Sequence, residues 1–277
     1  LSDLSLSEIE SLGYYDFMAY LEVPFFNIGG APSIDLLAER CMIDEHSHVL
    51  DVGCGTGGNS AYVVKKYGCK VTGIDISEIM IERANKRAEK LELKHKLNFS
   101  LGDAYDLQFP DGHFDAVLTV FVSQFLDIER AFPEFMRVLA NGGCLGINEM
   151  YREANVPEEH IKKVDEAERV FRVLTDLPFS IRSPEVWKRG FEKTGFRDVS
   201  VESFSEFLDA RRGLEMINEM GGWLKLLSLL WKTYSLGLKS KKIRSRYAKM
   251  NKGKNVMLRD KETSKYFGYV IGVGKKL

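Results

Sequence analysis

Short apolar runs alternate with segments of helical period through the middle of the chain. His48–Asp51 leads into a glycine-rich turn, and Lys70–Ile74 (KVTGI) and Leu97–Leu101 follow it. Phe114–Val120 (FDAVLTV) and Cys144–Glu149 complete the set. The run Phe114–Val120 is nearly all apolar, as a strand buried on both faces must be. Between these runs lie three helical segments. Asn59–Tyr67 stops at Gly68, Ser77 caps a helix through about Leu91, and Asp127–Leu139 is closed by Asn141-Gly142-Gly143. Strands alternating with helices at this spacing predict βαβ units, a parallel sheet and a doubly wound α/β fold.

The flanks follow a different pattern. The first ~45 residues read as helical pieces. One runs from Pro32 to about Met42, with Ser33 as N-cap and Asp35 in its first turn. After Met150 the alternation pauses at a charged helical segment, Pro157–Thr175. It resumes with Pro184–Thr194, which has Pro at its start and Gly195 past its end, and with the alternating strand Arg197–Phe204. A mostly helical stretch, Phe207–Thr263, interrupts before a last strand at Lys265–Gly274. There is no internal repeat. We expect one domain with helical additions: a helical cap over 1–45, an α/β core over 46–205, a helical insertion or lid over 206–263, and the core's final strand over 264–277.

Composition narrows the class. The 277 residues are 44% apolar and 29% charged, which excludes wholesale disorder. A net charge of −1 gives no global field for nucleic acid or acidic substrates. No stretch approaches the ~20 apolar residues of a membrane span. The opening LSDLSLSEIE lacks a basic segment followed by an apolar one, so no secretory signal is expected; it begins without Met and reads as trimmed. Cys41, Cys54, Cys69 and Cys144 have neither C-x-x-C spacing nor a His at a ligand offset. We therefore expect no metal site and no disulfide framework, and a reducing cytoplasmic compartment.

The chemistry concentrates in VLDVGCGTGG, Val49 to Gly58. Glycines after a first strand let the backbone approach a ligand, and the next helix offers free N–H groups. Asp75 ends the second strand, where a carboxylate accepts from two ribose hydroxyls. Gly53, Gly55 and Gly58 also satisfy G-x-G-x-x-G, so a nicotinamide-dependent oxidoreductase is an alternative. Asp51, two residues before the first glycine, is awkward beside a pyrophosphate and suits a ligand with ammonium and sulfonium charges. His113 reads as a surface residue.

Val49–Gly58, VTGIDIS (Val71–Ser77), GDAYDLQFPDGHFD (Gly102–Asp115) and RVLANGGCLGINE (Arg137–Glu149) resemble class I S-adenosylmethionine (SAM)-dependent methyltransferases. Within these the chain is similar to the small-molecule branch that includes the ubiquinone/menaquinone C-methyltransferases and sterol-type methyltransferases. Phe25–Glu39 resembles that branch's lead-in, and Ser183–Val199 its late helix–strand unit. The resemblance implies a Rossmann-like, mostly parallel seven-stranded sheet with a helical insertion before the last strand. It also implies SAM as cofactor and S-adenosylhomocysteine as product.

By position, the resemblance sets Asp51 toward the methionine ammonium, Gly53 and Gly55 under the methionyl and ribose portion, and Asp75 on the ribose hydroxyls. Ile76 would pack on the adenine, Asp103 accept from its amino group with Ala104 beside it, and Thr119, Val120 and Phe121 face the methionine and the acceptor.

In-line methyl transfer from an activated sulfonium asks mainly for alignment and desolvation, so no catalytic triad is expected and a SAM-binding protein without turnover is a further alternative. The fourth strand ends in T-V-F-V-S-Q, without the Pro-Pro-aromatic pattern of nucleobase amino methyltransferases, and neither a Pro-Cys nucleophile nor a cysteine after Cys144 occurs. A small-molecule acceptor is therefore favoured over nucleic acid or protein. Candidate acceptor-side groups are Tyr14, Tyr15, Tyr20, Gln124, Asn148 and Glu149.

In Trp223–Leu238 (WLKLLSLLWKTYSLGL), Trp223, Leu226, Leu227, Leu230, Trp231, Tyr234 and Leu238 share one helical stripe, and Lys239–Lys254 is a basic run with no acid. We expect the stripe to be buried as a lid or as core packing, with a dimer contact or an anionic membrane surface as the other uses.

Overall fold

Strand β1 (His48–Val52) lies between two parallel neighbours, β2 (Lys70–Asp75) and β4 (Phe114–Val120). Outside them run β3 (Leu97–Leu101), parallel to β2, and β5 (Leu139–Arg152), parallel to β4. The antiparallel pair β6 (Arg197–Phe204) and β7 (Phe267–Lys275) completes a seven-stranded sheet of order β3-β2-β1-β4-β5-β7-β6. The seven anticipated strands thus form one mostly parallel sheet. The structure is a computed structural model and describes residues 4–22, 29–205, 214, 217 and 222–277. Phe25–Ile28 of the lead-in segment and most of 206–221 in the insertion lie outside the described residues.

Contacts divide the chain into two compact units. The sheet unit holds 27–152, 181–204 and 268–277, and the helical unit 1–26, 153–180 and 205–267. In the sheet unit, α3 (Gly30–Arg40), α4 (Gly58–Tyr67) and α5 (Glu78–Lys90) bury Leu37, Val64 and Ala84 against one face of the sheet. On the other face, α6 (Ile128–Val138) and α8 (Pro184–Thr194) bury Phe132, Phe135, Trp187 and Phe191 around Leu50, Val117 and Leu145. Strand alternation sends Val49 to the first layer and Leu50 to the second.

Local readings need three corrections. Ser33 is not an N-cap: α3 starts at Gly30, and the buried Ser33 hydroxyl donates to the Gly30 carbonyl at 2.8 Å. That helix ends at Arg40, because Met42 takes a left-handed φ of 55°. Asn141-Gly142-Gly143 does not close α6, which ends at Val138. Leu139 is already extended and pairs with Phe114, while Cys144 pairs with Ala116, so residues 140–143 bulge from β5. The bulge is tied to the chain end, with Gly142 N–H donating to Lys276 O at 2.8 Å.

In the helical unit, α1 (Leu6–Ser11) opens on a capping box in which Ser5 and Glu8 satisfy each other's backbone N–H. With α2 (Tyr14–Leu21), α7 (Glu158–Thr175), α9 (Gly222–Lys239) and α10 (Lys241–Leu258), it forms a core of Ile9, Phe17, Met18, Leu21, Leu236, Ile243 and Met250. Ser240 separates α9 from α10 and caps the latter by accepting from Ile243 N–H at 3.1 Å.

The expectation that the stripe of α9 is buried fails. Trp223, Leu227, Leu230, Trp231, Tyr234 and Leu238 are exposed, and Leu226 is half-buried. The helix turns inward the side that carries Leu229, Leu236 and Ser240. The lysines flanking that side extend to partners at the rim. Lys225 reaches the Glu22 carboxylate at 2.8 Å, and Lys232 donates to Tyr20 O at 2.8 Å with its ammonium 4.1 Å from the Tyr20 ring centroid. Among the described residues, no helix is long and apolar enough to cross a membrane.

Candidate cofactor site

The site is built where β1 gives way to α4. The connecting glycines Gly53, Gly55 and Gly57 take φ of 71°, 54° and 72°, the left-handed region that glycine adopts without strain. The turn is fastened to the end of β2. Gly53 and Cys54 N–H both donate to Ile74 O, at 2.8 and 2.9 Å, and Gly55 N–H donates to Asp75 Oδ2 at 2.9 Å. A Cβ on Gly53 would stand 2.4 Å from Val122, and one on Gly57 2.7 Å from Phe99. Gly58 differs, because a Cβ there would meet nothing within 4 Å. In a dinucleotide fingerprint the third glycine serves close helix–strand packing. Here Gly57, not Gly58, carries that constraint.

Three carboxylates gather at the carboxyl ends of adjacent strands. Asp51 occupies a core position of β1 and is 5% exposed. Ser60, in the first turn of α4, donates to its Oδ2. Burial pushes its pKa up to about 6, the Ser60 hydrogen bond pulls it down, and the Asp75 charge raises it further. A small cavity beside it is lined by Ile34, Asn59, Ser60, Val63 and Val120. Asp75 ends β2, its two oxygens accepting from Gly55 N–H and from Ser77 N–H at 3.0 Å. Ile76 follows with its side chain 69% exposed. Gly102 N–H donates to Asp75 O at 3.1 Å, which sets the Asp103 loop beside the end of β2. Asp103 is exposed, holds Tyr105 N–H at 2.9 Å and precedes the buried Ala104.

The end of β4 closes the set. Thr119 is fully buried, Val120 half-buried, and Phe121 takes φ of 60° while its N–H donates to Asn148 O at 2.8 Å. A non-glycine residue in that region stores strain, which tends to collect at functional sites. Glu149, fully buried, organises the loop that follows: its Oε1 accepts from Thr119 Oγ1 at 3.0 Å, Val122 N–H at 3.1 Å and Ser123 N–H at 2.8 Å. Its Oε2 is buried without a hydrogen-bond partner. Burial pushes its pKa up to about 7 against the pull of those hydrogen bonds. Gln124 is buried and accepts from Met150 N–H, and Asn148 donates to Ser33 Oγ at 2.9 Å.

Asp51, Gly53, Gly55, Asp75, Ile76, Asp103, Ala104, Thr119, Val120, Phe121, Gln124, Asn148 and Glu149 therefore belong to the sheet unit, on the ends of β1–β5 and their loops. Tyr14, Tyr15 and Tyr20 belong to the helical unit. There Tyr14 donates to Met250 Sδ at 3.4 Å, and burial pushes its hydroxyl up to about 12. Ser60, Ser123 and Arg182 were not singled out from the sequence, and Ser33 was read there only as a helix cap. Arg182 donates to the Ser123 and Leu126 carbonyls at 3.0 and 2.7 Å and so braces the loop after β4. Each of the four bonds a group outside its own helix or loop.

Residues 49–143 match the family model described as a methyltransferase domain. The chain is 41% identical over 114 residues to sterol 24-C-methyltransferase of Aspergillus fumigatus, covering 41% of this chain and 30% of that protein. It is 34% identical over 191 residues to a probable chloroplastic tocopherol O-methyltransferase of Oryza sativa subsp. japonica, covering 67% of this chain and 52% of that one. The chain thus spans about half or less of the length of these relatives. Among solved structures, Haemonchus contortus phosphoethanolamine N-methyltransferase 2 in complex with S-adenosyl-L-methionine superposes with a TM-score of 0.69 at 19% identity, over 99% of this chain and 60% of that one. The [4+2]-cyclase SpnF superposes at 0.65 and 23% identity, over 88% and 79% of the two chains. The order of its motifs, the strand order of its sheet and these matches agree: residues 49–143 are a methyltransferase domain, and they support a chain of the class I SAM-dependent kind.

Proposed function

We propose that this protein binds SAM at the carboxyl edge of β1–β4 and transfers its methyl group to a small-molecule acceptor. The observation that carries the reading is the set of Asp51, Asp75 and Asp103 on consecutive sheet positions around a turn that tolerates no Cβ at Gly53. The residues fit the cofactor. A buried carboxyl already raised to about 6 is stabilised in its charged form by a neighbouring cation, as a methionine ammonium would provide. Asp75 holds the turn and stands at the end of β2, where its carboxylate is placed to accept from ribose hydroxyls. Ile76 presents an apolar side chain for an adenine face, and the free oxygen of Asp103 suits the adenine amino group.

When bound, SAM supplies a methyl group on a positively charged sulfur, already activated for displacement. The protein's own part is positional. Thr119, Val120 and Phe121 form the wall between cofactor and acceptor, and Glu149 holds its two ends, accepting from the Thr119 hydroxyl on one side and from Val122 and Ser123 N–H on the other. A pKa of about 7 also lets Glu149 take a proton near neutrality from an acceptor that arrives protonated. A lipid-like or terpenoid acceptor is consistent with relatives whose names specify sterol and tocopherol. Four unpaired, buried thiols suit a reducing cytosol.

Calorimetric titration with SAM and with NAD tests the cofactor: SAM saturates one site and NAD gives no heat. Because a cyclase shares the fold, binding alone does not establish turnover. Methyl-labelled SAM incubated with the protein and a lipid-containing metabolite extract must yield a labelled small molecule. SAM binding with no labelled product would leave a binding protein and sink the transferase reading.

A further inference from the structure

The exposed stripe of α9 departs from the ordinary burial of large apolar side chains. Trp223 is 56% exposed and Trp231 71%, with Leu227, Leu230, Tyr234 and Leu238 on the same face and the Trp231 and Tyr234 rings 6.3 Å apart. Contiguous apolar surface of this kind marks a partner. Three features say which one. The helix and its successor carry no Asp or Glu from Gly222 to Arg259. Directly past the stripe, Lys239, Lys241, Lys242, Arg244 and Lys249 are exposed and have no acidic partner among the described residues. The stripe mixes tryptophan and tyrosine with leucine, side chains that place an apolar body in acyl chains and a polar edge among headgroups.

We propose that α9, with the basic start of α10, docks the protein on an anionic phospholipid bilayer. The stripe inserts at the level of the headgroup–acyl boundary and the lysines neutralise the lipid phosphates. The helix has 18 residues and an inward side, flanked by Lys225 and Lys232, already engaged with its own unit, so it lies in the interface and does not span it. A second copy of the chain would also cover the leucines, but it would have to bring this unrelieved positive charge against an identical one, whereas an anionic surface complements it. The inference stands on the helical unit alone and does not depend on methyl transfer.

The chain's three tryptophans make the test direct, because Trp187 is fully buried in the sheet unit and the other two lie on the stripe. The intact protein is mixed with phosphatidylcholine vesicles containing roughly 30% phosphatidylserine, at low and at physiological salt, and with pure phosphatidylcholine vesicles. The expected result is a blue shift of tryptophan emission, quenching by acyl chains brominated near the headgroup, and co-sedimentation at least about tenfold stronger with the anionic vesicles. Trp231→Ser with Leu227→Ser abolishes the shift, and Lys241→Glu with Lys242→Glu weakens sedimentation. Both pairs are exposed, so unchanged melting shows that folding is intact. Absence of a shift with anionic vesicles overturns the proposal, as does equal binding to neutral ones. Sedimentation as a dimer whose formation the Trp231/Leu227 variant abolishes, without vesicle binding, assigns the stripe to a second copy instead.

Discussion

The turn after β1 and the outer face of α9 both gather large or unusual residues in a short span, yet they spend them in opposite ways. In the turn the backbone is fastened to its neighbours. Gly53, Cys54 and Gly55 all donate to the end of β2, and a methyl group added at Gly53 or Gly57 would collide. On α9 seven large apolar side chains are exposed, and the helix is held by its other side. The turn has one arrangement because register on both sides leaves no second one. The helix meets Glu22, Tyr20 and the core around Phe17 with the face that carries Lys225, Lys232, Leu229 and Leu236. Rigidity at the site and exposed apolar surface on α9 therefore come from the same cause, the number of neighbours that constrain each residue.

The largest effect expected from breaking the turn is at Gly53. Gly53→Ala forces a Cβ to within 2.4 Å of Val122 and a left-handed φ on alanine. It should cost roughly 2–4 kcal/mol of stability and remove measurable SAM binding. Gly58→Ala should be neutral within about 0.5 kcal/mol, since nothing lies within 4 Å of its Cβ position. Chemical denaturation and calorimetric titration of the two variants compare them. Equal losses would mean that the dinucleotide spacing, not the methyltransferase turn, describes this segment.

Asp75→Ala comes next. Losing the charged acceptor for two hydroxyls weakens SAM by roughly 2–3 kcal/mol, read as a dissociation constant. Because Asp75 also holds Gly55 and Ser77 N–H, the variant should soften the turn as well. Asp75→Asn keeps one acceptor oxygen for the turn while removing the charge. A dissociation constant that stays put in both variants removes Asp75 from the site.

These positions show what could be read from residues alone. The strands, and the placing of Asp51 and Asp75 at strand ends around a glycine turn, were legible because βα alternation and the D-x-G-x-G turn are local patterns. What escaped was set by distant partners. Ser60 beside Asp51, Arg182 bracing the loop after β4 and Ser33 against Asn148 have no periodicity to announce them. The stripe of α9 was read correctly as a stripe, but periodicity locates a face without saying which way it turns.

The buried carboxyls give a pH signature in the protein without ligand. Asp51 titrates near 6 and Glu149 near 7 when folded, both above their values in an unfolded chain because burial disfavours the charge. The folded state then holds more protons than the unfolded one between about pH 4 and pH 7. Stability should fall as pH rises through that window, by an amount on the order of 2–3 kcal/mol per group, and level off above it. Asp51→Asn should flatten the lower part of the profile and Glu149→Gln the upper part. SAM should reduce the slope due to Asp51, since a cation beside it lowers its pKa. A profile that rises over this range would show that neither carboxyl is strained by burial.

The smallest effect is the one that sharpens the comparison most. Trp231→Ala removes one of the two bulkiest side chains of α9, and in a core that truncation costs about 3–5 kcal/mol. Here Trp231 is 71% exposed and Tyr234, whose ring lies 6.3 Å away, is exposed too, so the expected change is within about 0.5 kcal/mol. Leu236→Ala, five residues along the same helix and only 8% exposed, deletes fewer atoms yet should cost roughly 2–3 kcal/mol, because it opens a cavity against Phe17 and Ile243. The pair inverts the order that side-chain size alone would give. Thermal unfolding of both, without lipid, measures it. A Trp231 variant that loses as much as the Leu236 variant would mean the stripe is covered in the free protein and is not available to a membrane.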